Sequence, residues 1–146
     1  PDALTSSFGW DCEKNKDFLT DVVKEFHKNQ IRVSLFVNPS IKTLENLGII
    51  ATDRVELYTY DYAHNYSKNK FEAIKSYVEV SKFIKNEFPK IEFNAGHDLN
   101  LNNLEYFLRS ITNIKEVSIG HALICDTFEF GLKKTIIKYL KASSNS

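Results

Sequence analysis

A chain of 146 residues is long enough for one domain with a real core, and 42% hydrophobic with 26% charged residues is an ordinary globular mix. Lys+Arg and Asp+Glu both total 19, so the basic excess of a nucleic-acid binder or an anionic-membrane binder is excluded. No apolar run approaches the ~18 residues that cross a bilayer, and the first residues carry no signal-peptide pattern.

The 2 cysteines, Cys12 and Cys125, have no metal-ligand spacing and imply a reducing, cytoplasmic setting. Cys125, in an apolar stretch, reads as a small buried side chain. A start at Pro1 and the lack of any methionine point to a fragment or to a sequence with unrecorded residues.

In chain order, a loop to Cys12 precedes a helix over Glu13 to Asn29, with Phe18, Leu19, Val22, Val23 and Phe26 on one stripe. Ile31 to Val37 is a strand. Pro39-Ser40 breaks it, and Ser40 caps a short helix through Leu44 and Leu47. Arg54 to Thr59 is the next strand, followed by a polar, aromatic loop from Tyr60 to Asn69. A long helix then turns Phe71, Ile74, Tyr77, Val78, Phe83 and Ile84 inward and ends at Pro89. Ile91 to Ala95 is a strand, and Leu101, Leu104, Phe107, Leu108 and Ile111 define the helix after it. Glu116 to Ile119 is the last strand. The final helix starts near Asp126, which has capping-box spacing to Glu129, and carries Phe128, Leu132, Ile136, Ile137 and Leu140 inward. Lys141 to Ser146 reads as a frayed tail.

Strands alternating with helices imply an α/β fold with parallel strands, and residues 1–146 read as a single domain. A doubly wound sheet and part of a (β/α)₈ barrel both satisfy that order. The strands decide between them. Val55 and Leu57 oppose Glu56 and Tyr58; Ile91, Phe93 and Ala95 oppose Glu92 and Asn94; Val117 and Ile119 oppose Ser118 and Gly120. Strands covered by helices on both faces would be apolar on both. One polar face fits helices outside and a polar barrel lumen inside. Four βα units are half of such a barrel and leave two open edges, so further chain, a partner or both are expected.

Two strand ends carry a glycine and a histidine, Gly96-His97 and Gly120-His121. Ligands bind at that end of parallel α/β sheets. His97 is a candidate general acid or base, since imidazole titrates near neutral pH. The Gly120-His121 turn lets a phosphate approach backbone N–H groups at a helix start. Glu56 is a lumen carboxylate, placed for proton transfer or else for a salt bridge to Arg32 or Arg54. Tyr58, Tyr60, Tyr62 and Tyr66 form either a substrate-contacting wall or ordinary loop packing. His27 and His64 read as solvated. The sequence has no Walker loop, no GxGxxG and no His/Cys/Asp/Glu grouping with metal-ligand spacing.

At these residues the sequence resembles the C-terminal half of the pyridoxine 5′-phosphate synthase family. Thr5-Ser6-Ser7-Phe8-Gly9-Trp10-Asp11 is similar to T-T-E-G-G-[LW]-D, and Val33-Ser34-Leu35-Phe36-Val37 to V-S-L-F-I. Val55-Glu56-Leu57-Tyr58-Thr59-Tyr60-Asp61-Tyr62-Ala63 is similar to I-E-[IL]-H-T-G-x-Y-A. Asn94 to Leu99 resembles N-A-G-H-G-L, and Ser118 to Ala122 resembles N-I-G-H-A.

The resemblance implies a (β/α)₈ barrel, of which this chain supplies strands 5–8. It implies condensation of 1-deoxy-D-xylulose 5-phosphate with 3-amino-2-oxopropyl phosphate, without cofactor or metal, in dimers that build to octamers. Carried over, His97 is the proton donor and Glu56 a proton shuttle. Asp98, Gly120 and His121 bind the aminoketone phosphate, and Thr5 contacts the deoxyxylulose phosphate. The family's glycine after the histidine is Asp98 here, and its His and Gly in H-T-G are Tyr58 and Tyr60, which would narrow the lumen mouth. Those departures keep a second class open, a catalytically weak half-barrel that serves as a binding or assembly module. A third is another phosphate-handling barrel enzyme, an aldolase or isomerase. The family's N-terminal half, with further catalytic residues, has no counterpart in these residues, so this piece alone should not turn over.

Overall fold

Four short strands form one parallel sheet in the order β1-β2-β3-β4: Ser34–Val37, Arg54–Tyr58, Glu92–Gly96 and Ile114–Ser118. The structure is a computed structural model and describes residues 6–111 and 113–144. Each strand falls within three residues of its expected position, because the β-branched and aromatic runs mark them and Pro or turn residues bound them. Trp10 adds an isolated parallel bridge to Val37, its N–H donating to the Phe36 carbonyl at 2.7 Å. Gly9 is needed there, because a Cβ would lie 2.4 Å from the Val37 backbone.

The helices are α1 (Lys16–Lys28), a 3₁₀ turn (Ile41–Leu44), α2 (Leu47–Ile50), α3 (Tyr60–Ala73), α4 (Lys75–Glu87), α5 (Leu104–Ser110), α6 (His121–Phe130) and α7 (Leu132–Ser144). The core lies on one face of the sheet. Leu35, Val37, Val55, Leu57, Phe93 and Ala95 are buried in one cluster with Leu19 and Val23 of α1, Tyr77 and Ile84 of α4 and Phe107 of α5. The opposite face carries Phe36, Glu56, Asn94 and Glu116 in one register row. A bulge at Phe93/Asn94 in the pairing with β4 brings Glu116 into that row. One helical layer, one apolar face and one polar face fit a partial TIM-type barrel. Among the described residues no helix is long and apolar enough to cross a membrane.

The expected loop from Tyr60 to Asn69 is a helix. Its aromatic residues pack instead of tethering a loop: Tyr62 is fully buried, with its ring against Tyr66, Tyr77 and Phe107. Asn69 breaks helical geometry at φ −158°, and its Oδ1 accepts the N–H groups of Phe71 and Glu72, so it restarts the helix. Phe71, expected inward, is exposed, with its ring perpendicular to Tyr106 and the Lys70 ammonium over it.

The C-terminal helix is two helices. α6 starts at His121, five residues before Asp126, and Gly131 ends it with φ 79°. Asp126 therefore lies inside α6, where it accepts the Tyr139 hydroxyl at 2.7 Å, and is not a cap. Thr135 and Tyr139 of α7 face the core, while Phe128, Leu132, Ile136, Ile137 and Leu140, expected inward, are exposed. Cys125, expected buried, is exposed, and Cys12 is the buried one; both are free thiols. Burial pushes the Cys12 thiol up to about 11.

Candidate active site

Parallel register stacks the site. Tyr58, Gly96 and Ser118 are neighbours across β2, β3 and β4 at their C-terminal ends, with Glu56, Asn94 and Glu116 one step below. Glu56 reaches up from its row. Its Oε2 accepts the Ser118 hydroxyl at 3.0 Å. The path crosses Gly96, where a Cβ would stand 2.5 Å from Glu56 Oε1, so any larger residue there would push the carboxylate aside.

Glu56 makes neither of the salt bridges weighed for it. Arg54, its side chain 5% exposed, takes Glu92 and Glu116 instead, the latter at 2.6 Å, while Arg32 stands 3.9 Å from Glu92. The hydrogen bonds from Arg54 hold both glutamates below the usual carboxylate range, and the two glutamates raise Arg54 in return. Arg54 is thus engaged below the site, and among the described residues Glu56 has no salt-bridge partner.

His97 follows the end of β3 on a turn that bends sharply. His97 has φ 89° and Asp98 φ 54°, two successive non-glycine residues in left-handed geometry. Leu99, buried beyond them, anchors the exit. The imidazole stands edge-on to Phe36 and Tyr58, at centroid distances of 5.2 and 4.9 Å. Its Nε2 lies 2.7 Å from the Ser6 carbonyl. A carbonyl only accepts, so Nε2 carries a proton. His97 is therefore held as a donor at the strand end.

Asp98 is exposed beside it, and its carbonyl accepts the side-chain amides of Asn100 and Asn103 at 3.3 and 3.2 Å. Gly120 precedes α6, and a Cβ on it would meet nothing within 4 Å. Packing does not require glycine there; close approach of a ligand to the backbone is what glycine permits. The first N–H groups of α6 follow at once, with His121 exposed at their head. Thr5 lies outside the described residues.

The tyrosines divide. Tyr62 and Tyr66 pack under the site, while Tyr58 and Tyr60 stand at its rim. Tyr60 stacks between Tyr58 and His64, at 5.9 and 5.7 Å. Burial, then the neighbouring Asp98 charge, raise the Tyr58 phenol above its ordinary value. His27 is exposed, as expected, and also bonds Asp53 at 2.8 Å at the far end of the sheet. Two contributors escaped the reading of the sequence. Ser118 orients Glu56, and buried Thr59 bonds the Gly96 and His97 carbonyls. The signal for both was a small polar residue at the C-terminal end of a strand.

A trough of about 1600 Å³ joins these groups, lined by Glu56, His97, Asp98, Gly120 and His121 among others. Tyr58 and Tyr60 line it without filling it. Among the described residues no group of three His, Cys, Asp or Glu side chains could hold a metal ion. A trough with a proton donor, a free carboxylate and a glycine-led helix start suits acid–base chemistry on an anionic ligand.

A one-sided parallel βα sheet with its reactive side chains gathered at the strands' C-terminal ends defines the class, a partial TIM-type barrel with an active-site rim. The chain belongs to the pyridoxal phosphate biosynthesis protein PdxJ family, whose model matches residues 1–145. Curated relatives named pyridoxine 5′-phosphate synthase include those of Christiangramia forsetii, 45% identical over 139 residues, and Cytophaga hutchinsonii, 46% identical over 139 residues. Each alignment covers 95% of this chain and 58% of the relative. The relative from Parabacteroides distasonis is 45% identical over 146 residues, which is 100% of this chain and 60% of that protein. The chain thus spans about three-fifths of the length of the curated relatives it matches.

Proposed function

We propose that this chain is the C-terminal half of a (β/α)₈ pyridoxine 5′-phosphate synthase and supplies strands 5–8 with their share of the active site. The observation that carries the reading is convergence: residues drawn from three separate strand ends, Glu56, His97, Asp98, Gly120 and His121, line one trough. The reaction joins 1-deoxy-D-xylulose 5-phosphate to 3-amino-2-oxopropyl phosphate and releases phosphate and water. Each elimination needs a proton delivered to a departing oxygen. His97, whose imidazole lines the trough, donates it, with substrate taking the place of the Ser6 carbonyl at Nε2. Glu56, unpaired with any cation among the described residues, carries protons between positions on the sugar phosphate. The N–H groups at the start of α6, with Gly120, His121 and the Asp98 backbone, receive the aminoketone phosphate. The Asp98 carboxylate must turn away from that phosphate, since like charges at close range repel.

The other half of the barrel completes the site and covers the two sheet edges. The intact enzyme is a homo-oligomer, dimer to octamer, and works in the cytoplasm, as its free thiols suit. The test is product formation by the intact protein from the two phosphorylated substrates. Pyridoxine 5′-phosphate, identified by mass, supports the reading. Its absence, with phosphate still protecting amides near Gly120 from hydrogen exchange, would favour another phosphate-handling barrel enzyme. Absence of both would favour a binding or assembly module, the reading that Asp98, Tyr58 and Tyr60 keep open.

A further inference from the structure

The turn that carries His97 is held from beneath by one residue that the chemistry itself does not touch. Thr59 follows β2 and occupies the N-cap position of α3. Threonine at such a position ordinarily turns its hydroxyl onto the helix's own N–H groups. Here it makes no such bond. Its hydroxyl instead lies 2.6 Å from the Gly96 carbonyl and also reaches the His97 carbonyl, while its N–H donates to Gly96 O at 2.9 Å. Thr59 is fully buried, so water does not replace those donors.

The contacts fall on the carbonyls that set the unusual backbone. His97 and Asp98 both have positive φ, and side chains persist in that geometry only when their surroundings hold them. Three successive carbonyls are captured: Gly96 and His97 by Thr59, and Asp98 by the amides of Asn100 and Asn103. Thr59 is itself fixed. The Tyr77 hydroxyl donates to the Tyr58 carbonyl at 2.9 Å, and Tyr62, three residues on, donates its hydroxyl to Asn103 O at 2.7 Å. The clamp thus links β2, α3, α4 and the loop after β3.

We propose that Thr59 is the positioning residue for His97: its hydroxyl fixes the left-handed turn that aims the imidazole into the trough. The assignment rests on His97 as the proton donor of the proposed reaction. Removing the hydroxyl frees the His97 carbonyl, lets the turn relax toward ordinary backbone angles and swings the ring away from its aligned place.

The experiment compares Thr59→Val and Thr59→Ser in the intact protein by steady-state kinetics and by NMR of the histidine ring. Thr59→Val is expected to lower kcat between about tenfold and a hundredfold, the scale of a misplaced catalytic group, with KM within about twofold. Thr59→Ser, which keeps the hydroxyl, is expected to stay within about threefold of the parent. His97 ring signals should move in Thr59→Val but not in Thr59→Ser, while those of His27, at the opposite end of the sheet, stay in place. If Thr59→Val does not fold, Thr59→Ala removes the same hydroxyl with less bulk. Full kcat in the variant without the hydroxyl, equal loss in Thr59→Ser, or unmoved His97 signals would each overturn the proposal. A parent protein that makes no product would refute the synthase reading alone; the ring signals then decide the clamp by themselves.

Discussion

The two ends of the sheet handle polar groups in opposite ways. At the N-terminal end Arg54 is enclosed by Glu92 and Glu116, and Asp53 is shared by His27 and the Val33 N–H. Burial works against the Asp53 charge, but those two partners outweigh it and hold its pKa down. Each charged group named there has a polar partner against it. At the C-terminal end Glu56 accepts a serine hydroxyl, His97 faces a loop carbonyl and two aromatic rings, and the backbone at His97 and Asp98 is bent into left-handed geometry. Matched charges on short strands serve stability. On the proposed reading Glu56 and the strained His97 serve chemistry, and barrels separate the two roles by end.

That division is open to attack by substitution. The largest effect is expected from His97→Ala in the intact protein, a loss of more than about a hundredfold in turnover with an unchanged circular dichroism spectrum. Undiminished turnover would remove His97 from the rim's chemistry. Next, Gly96→Ala places a methyl where Glu56 Oε1 now lies and should lower kcat by about tenfold with a modest loss of stability. A crystal structure of that variant with Glu56 unmoved would contradict the close approach.

Arg54→Met attacks the other end, and it should lower the thermal midpoint at neutral pH. The sign with pH is definite. Glu92 and Glu116 have depressed pKa values in the folded protein, so their contribution is present above the ordinary carboxylate range and is lost as pH falls through the folded values. The gap between parent and Arg54→Met should therefore close in acid. A gap that persists there would mean that Arg54 acts through packing alone. The smallest effect is expected from Tyr62→Phe, about 1 kcal/mol in denaturant unfolding, because it removes one buried hydrogen bond to the Asn103 carbonyl, which keeps the Phe107 N–H at 3.2 Å. A larger loss of turnover than of stability in that variant would show that the network under the His97 turn belongs with the rim.

The sequence by itself determined the α/β class, the four strands and the end of the sheet where the site lies. Period-two alternation such as Val55-Glu56-Leu57-Tyr58 states which residues share a face, and a glycine–histidine pair after a strand marks an exit. Local composition misled where burial overrode it. Tyr60 to Asn69 looks like a loop until Tyr62 is seen filling the core, and Asp126 looks like a cap until α6 is seen to begin at His121. Tertiary structure alone decided the pairings. No spacing in the chain says that Arg54 takes Glu92 and Glu116 and leaves Glu56 to Ser118. Nor does any spacing say that Thr59 reaches across 38 residues to the His97 carbonyl. Such contacts follow from the register of neighbouring strands, and register is set by how the whole apolar face packs under its helices.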